Sequence, residues 1–177
     1  MDARAFVETL AAATIGETFN FYREGCEADV RRARLVDYLR SRAEAPVLLV
    51  GEAAGYRGAR ASGLPFTSER HLTGSGPAEA TATVVRRVLA ELGLERVVLL
   101  WNVVPTHPHV PGNAATNRRP TLKEVEASLP FLRPLARSRR TVAVGRLAES
   151  VLGGPYVRHP SRGGAARFRA DLEAAFA

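Results

Sequence analysis

Residues Val47 to Val50 form an unbroken apolar run, VLLV, that passes directly into a glycine-rich loop. A run this short and rich in β-branched residues predicts a strand buried on both faces. Gly51, Gly55, Gly58 and Gly63 follow, with Glu52 and Tyr56 between them, and the segment closes on Pro65-Phe66-Thr67-Ser68-Glu69. Glycines let a backbone turn tightly and lie against a ligand. A strand ending in such a loop is where an open α/β sheet binds its ligand. Taken alone, the segment also fits an ordinary glycine-rich connection.

The same arrangement recurs along the chain. Residues 3–14 and 28–42 read as helices, the second with Val30, Leu35, Val36 and Leu39 as its apolar stripe. Phe19, Phe21 and Tyr22 between them read as packing. After a first strand at 47–51, residues 77–92 read as a helix, with Pro77 near its start and Gly93 past its end. Val97–Trp101 reads as a second buried strand. It opens into Asn102 and a long loop carrying His107, His109 and Asn117. Thr121 then caps a helix, with Glu124 three residues on as in a capping box. A third strand at 141–145, a helix at 146–152, a fourth strand at 156–158 and a helix at 164–176 complete the reading.

Strands alternating with helices predict an α/β fold with a parallel sheet. Right-handed crossovers put the C-terminal ends of such strands on one edge. That edge would collect the glycine loop, Asn102, Gly145-Arg146 and His159, which lie far apart in sequence. Their convergence turns a generic domain into one with a site.

A chain of 177 residues suits a single domain, residues 1–177, with a real core. The formal net charge is +7, which favours a polyanionic partner such as nucleic acid. Lys123 is the only lysine, so an arginine-rich coding bias competes with that explanation. Cys26 is the only cysteine, which excludes an internal disulfide and a four-cysteine metal site within the chain. A reducing cytoplasm is the expected setting. The first residues show no signal-peptide pattern, and no run approaches the roughly 20 apolar residues that span a bilayer.

The motifs, in order, are G-E-A-A-G at Gly51, G-L-P-F-T-S-E at Gly63, W-N-V-V-P at Trp101, N-R-R-P-T at Asn117, V-G-R at Val144 and R-H-P-S at Arg158. Together, across residues 46–172, they resemble the uracil-DNA glycosylase superfamily. The resemblance implies a three-layer α/β/α sandwich around a four-stranded parallel sheet. It implies hydrolysis of the bond between a base and deoxyribose, without a cofactor or metal. DNA carrying a damaged base is the implied partner, and a monomer is assumed. A duplex hides that bond, so the nucleotide must be flipped out.

Phe66 matches the aromatic on which such enzymes stack the flipped base, a contact worth about 1–3 kcal/mol. Asn102 matches the residue that reads the base edge, since an amide offers both donor and acceptor. Gly51, Ala53, Ala54 and Gly55 complete the first motif of the base pocket, and Tyr56 is placed to exclude a thymine methyl. His159 matches the histidine that donates to the leaving base, stabilising charge that develops in the transition state.

One position departs from the best-known pattern. Many relatives carry an Asp at the third position of the first motif, where Ala53 stands here. Glu52 or Glu69 is then expected to position the attacking water or to stabilise the sugar cation. Relatives with a covalent histidine carry it near Asn117, so covalent trapping is not expected. His107 and His109 fit phosphate contact or plain solvent exposure better than metal binding. Ser68, Arg118, Arg119, Arg146, Ser161, Arg162, Gly163 and Gly164 are the expected DNA contacts, with Arg162 standing where relatives place an apolar wedge. Uracil is the first expected substrate. Hypoxanthine, xanthine or a mismatched base is the second, and a DNA-binding module without turnover is the third. A dinucleotide or P-loop enzyme is disfavoured, because neither fingerprint is present.

Overall fold

The computed structural model describes residues 1–177. In chain order the elements are α1 (Ala3–Ala12), β1 (Thr18–Phe19), α2 (Ala28–Ser41), β2 (Val47–Ala53), α3 (Ala59–Ser62), α4 (Glu69–Thr73) and α5 (Ala80–Glu91). Then come β3 (Val98–Val104), β4 (His107–Pro108), α6 (Leu122–Ala136), β5 (Arg140–Val144), α7 (Arg146–Leu152), β6 (Tyr156–Val157) and α8 (Ala165–Phe176). No helix is long and apolar enough to cross a membrane.

The four strands expected from sequence form one parallel sheet, in the order β3-β2-β5-β6. Its side chains alternate between two cores. Leu48, Val50, Leu99, Trp101 and Ala143 face one core with α1, α2, α6 and α7. Leu49, Leu100, Val142, Val144 and Val157 face the other, with Val85 and Leu89 of α5 and Phe168 and Leu172 of α8. Strands covered on both faces read as continuous apolar runs, which is why VLLV and VLLW were legible.

Two boundaries move in a way that matters for the site. β2 and β3 stay paired as far as Ala53 and Val104, so Glu52 and Asn102 are strand residues. α5 begins at Ala80, with Glu79 as its N-cap residue, and Pro77 lies outside it. β1 and β4 form a separate two-stranded antiparallel pair, too short to leave a periodic signal. α3 and α4 are single turns that the sequence pattern missed for the same reason.

Candidate active site

The C-terminal edge of the sheet opens into a cleft of about 840 Å³. Phe66, Asn102 and His159 all line it. Three chain segments, joined by no local contact in sequence, therefore meet on one rim.

Gly51 makes the meeting of two of them possible. It is the register partner of Asn102 across β2 and β3. A Cβ at Gly51 would collide with Cζ of Phe66 and stand 2.8 Å from Oδ1 of Asn102. Only a residue without a side chain lets the ring and the amide approach the strand together. Gly51 thus backs the site from behind and does not itself line the cleft.

Phe66 is held in a strained left-handed conformation, φ 49°, right after Pro65. Such strain persists only where surrounding contacts over-determine it. Here Ser62 supplies them. Its buried hydroxyl accepts from Leu64 N–H at 3.0 Å and donates to the Thr67 carbonyl at 2.6 Å. Thr67 in turn donates to the Pro65 carbonyl at 2.9 Å and accepts from Arg86 at 2.8 Å. The ring is 7% exposed, with its accessible part on the cleft.

Asn102 is 5% exposed, and no group of the chain hydrogen-bonds its amide. A nearly buried polar group left without a partner is a vacancy that a ligand can fill. His159 is arranged more fully. Ser161 N–H donates to its Nδ1 at 3.2 Å, and the Ser161 hydroxyl lies 2.8 Å from the same atom. A backbone N–H can only donate, so Nδ1 carries the lone pair and the neutral ring bears its proton on Nε2. Burial, then the nearby Arg158 charge, hold the pKa of His159 below the ordinary histidine value. The cleft is thereby supplied with a neutral N–H donor.

Two carboxylates line the same space, Glu52 from β2 and Glu79 from the start of α5. Neither forms an ion pair. Arg119, Arg146, Arg158 and Arg162 give the rim its positive charge. Arg146 is tied to Glu149 at 2.7 Å and stacks over Tyr156 at 4.3 Å. The guanidinium groups of Arg119, Arg158 and Arg162 face solvent without a carboxylate partner. Arg162 is the other non-glycine residue with positive φ, 52°, so both such residues of the chain stand at this cleft. Ala53, Ala54, Gly55 and Ser161 line it as well.

Several expectations are corrected. Glu69 lies outside the cleft, its carboxylate gripped by both terminal nitrogens of Arg34 at 2.8 and 2.9 Å. Tyr56 also lies outside it. Its ring packs 5.9 Å from His107 and under Arg60, whose guanidinium sits 4.5 Å from the ring centroid. Ser68 is buried and lies outside the cleft, capping α4 with its hydroxyl 2.7 Å from Nδ1 of His71. Gly164 is buried beneath the His159 carbonyl at the start of α8, where a Cβ would not fit. Gly163, φ 75°, is exposed in the same turn without lining the cleft. Arg118 reaches the cleft wall, but its guanidinium is spent on Glu124 at 2.6 and 2.8 Å. His107 is neither solvent-exposed nor free for phosphate. It is fully buried, with Nδ1 2.9 Å from the Ala54 carbonyl and Nε2 3.3 Å from that of Ala114. Asn117 accepts the Tyr56 N–H at 2.9 Å and so pins the first-motif loop.

Glu79 and Tyr156 are lining residues that belong to no motif, and Arg158, the first residue of the last motif, lines the cleft without having been given a role. Tyr156 opens β6 and Arg158 follows its end, so strand position is the signal that could have found them. Nothing in the sequence around Glu79 marks it.

The sequence matches the family described as the uracil DNA glycosylase superfamily over residues 40–173. That span is most of the chain. The chain belongs to the uracil DNA glycosylase superfamily. At that level it is a DNA glycosylase, a hydrolase of base excision repair whose substrate is DNA. Among solved structures, the wild-type SMUG2 of Pedobacter heparinus is similar, with a TM-score of 0.72 and 13% sequence identity. The likeness covers 99% of this chain and 97% of that one, and at this identity it speaks for the fold. No curated protein matches the sequence.

Proposed function

We propose that this glycosylase excises uracil from DNA. The observation that carries the reading is the unpartnered Asn102 amide, set beside the Phe66 ring through the gap left by Gly51. A flipped pyrimidine stacks on the ring and places its adjacent N–H and C=O against the amide. The neutral His159 then donates from Nε2 to the base oxygen that gains charge. The bond between C1′ and the base nitrogen breaks, and its electron pair leaves with the base. Water adds to C1′ of the resulting sugar cation and loses a proton, leaving an abasic site. Arg119, Arg158 and Arg162 are the phosphate contacts in this reading, steering the backbone across the rim. Glu52 stands by the developing cation as its electrostatic partner.

A second reading, excision of hypoxanthine, xanthine or a mismatched base, is favoured by the placement of Tyr56. Its ring is turned to His107 and Arg60, so it builds no methyl-excluding wall. The deciding experiment uses labelled duplexes carrying U·G, U·A, hypoxanthine·T or T·G, followed by alkaline cleavage of abasic sites. Fastest release from the uracil duplexes supports the first reading. Faster release of hypoxanthine or thymine replaces it with the second. Binding without cleavage of any duplex makes the protein a DNA-binding module and overturns both.

A further inference from the structure

Of the motif carboxylates only Glu52 reaches the cleft, and the reading above sets it beside the developing cation, not on the attacking water. Ala53 stands where many relatives have Asp, and Glu69 is locked to Arg34. The cleft nevertheless holds a second carboxylate besides Glu52, on a residue that belongs to no motif.

Glu79 is the N-cap residue of α5. A short carboxylate at an N-cap can accept the first free N–H groups of its helix, as Asp2 does for α1. Glu79 makes no such bond; it extends away from α5 into the first-motif loop. There its carboxylate rests on two glycines. A Cβ on Gly55 would collide with Oε1, and one on Gly58 would collide with Oε2. The loop is thus bare of side chains at the two places where the carboxylate sits. No arginine reaches it, although Arg119, Arg146, Arg158 and Arg162 line the same cleft with Glu52 and the neutral His159. An unpaired, half-buried carboxylate is unfavourable for the fold, and the cradle makes that placement specific.

We propose that Glu79 is a catalytic residue: from its seat on Gly55 and Gly58, its carboxylate holds the attacking water and takes its proton. The assignment rests on the glycosylase reading above. The balance is simple. The base departs with the electron pair of the broken bond, and the water oxygen then bonds to C1′ of the sugar cation that is left. The water proton passes to the Glu79 carboxylate and from there to solvent. Burial raises the Glu79 pKa above the ordinary carboxyl value of 4.5. A carboxylate so raised is a stronger base at neutral pH, where proton transfer is most effective.

The test uses the duplex that the panel above shows to be cut fastest. Single-turnover rates are measured for the wild type, Glu79→Gln and Glu79→Asp from mildly acidic to mildly basic pH, with binding to an uncleavable duplex and thermal unfolding alongside. Glu79→Gln is expected to lose about 100-fold or more in rate, with binding changed by less than about 2-fold. Its thermal midpoint at neutral pH stays level or rises, because the folded state no longer carries a charge that burial disfavours. The wild-type rate falls as pH drops, with a midpoint above the ordinary value of 4.5, and Glu79→Gln lacks that limb. Glu79→Asp keeps the limb and a rate between the two.

A cleaving wild type with an equally fast Glu79→Gln overturns this assignment and leaves the glycosylase reading intact. So does a rate that falls as pH rises through the same range, because a proton donor would then be at work. A wild type that binds DNA and cleaves nothing overturns the glycosylase reading and this assignment with it. Should Glu79→Gln unfold, the slower rate and retained limb of a folded Glu79→Asp decide, and a wild-type rate for that variant counts against the proposal.

Discussion

Two polar regions lie side by side at the end of the sheet, and they differ in one respect. In the loop from Pro105 to Thr121, the polar side chains are paired, with Arg119 at the cleft rim as the exception. Both nitrogens of His107 face carbonyls, Asn117 holds the Tyr56 N–H, and Arg118 grips Glu124. Glu124 is 1% exposed and also accepts the Thr121 N–H at 2.8 Å. In the cleft beside it, the Asn102 amide, Nε2 of His159 and the carboxylates of Glu52 and Glu79 are left without partners. Paired groups lower the free energy of the fold, whereas unpaired buried groups raise it. The first region is scaffold and the second is where the molecule keeps polarity for something else.

The sharpest way to break the comparison is to truncate a free group and a paired group and compare what each loses. Asn102→Ala and His159→Ala should each lower the single-turnover rate by about 100- to 1000-fold, the scale of one lost transition-state donor. Urea unfolding should move by less than about 1 kcal/mol for His159→Ala. A slow variant that is also badly destabilised would erase the distinction.

Arg118→Met should do the reverse. It leaves the Glu124 carboxylate buried without its cation, at a stability loss of about 3 kcal/mol in urea unfolding. The fraction that stays folded should cut DNA at close to the wild-type rate. The pH dependence has a definite sign. Hydrogen bonding from Arg118 holds the Glu124 pKa below its ordinary value of 4.5. Its contribution is therefore present above 4.5 and is lost as pH falls through the depressed folded value. Arg118→Met should lack most of that acid slope.

Gly51→Ala tests the boundary between the regions, since the added Cβ meets both Phe66 and Asn102. Displacing the ring should weaken binding of a base-containing duplex by the worth of a stack, about 1–3 kcal/mol. Binding to an abasic duplex should change little. The smallest effect belongs to the rim. Arg119→Ala or Arg158→Ala should reduce the dependence of log Kd on log salt by about 0.9 per arginine. Arg118→Met, whose guanidinium is already occupied, should leave that slope alone.

Legibility from sequence tracked how local each feature is. The sheet strands announced themselves as apolar runs because each is covered on both faces. The gathering of Gly51, Asn102 and His159 at one edge was legible because each sits near a strand end, whereas Phe66 stood out only as the aromatic of a short motif. Side-chain direction in the loops was not legible. Tyr56 follows the first motif directly, yet its ring turns to His107, which a two-residue antiparallel pair brings underneath. Glu69 is turned from the cleft by a partner, Arg34, that stands on α2, 35 positions earlier. Ser68 fell to a helix one turn long.

By itself, then, the chain of residues determined the layer architecture, the edge on which the strands end, and the kind of chemistry gathered there. Periodicity and glycine placement are local properties that survive without coordinates. Which acids stand free was decided only in three dimensions. A carboxylate's role depends on what faces it, and Arg34 faces Glu69 while two bare glycines face Glu79. That difference is written in no stretch of sequence short enough to read, because it comes from α2 and α5 packing against loops they do not adjoin.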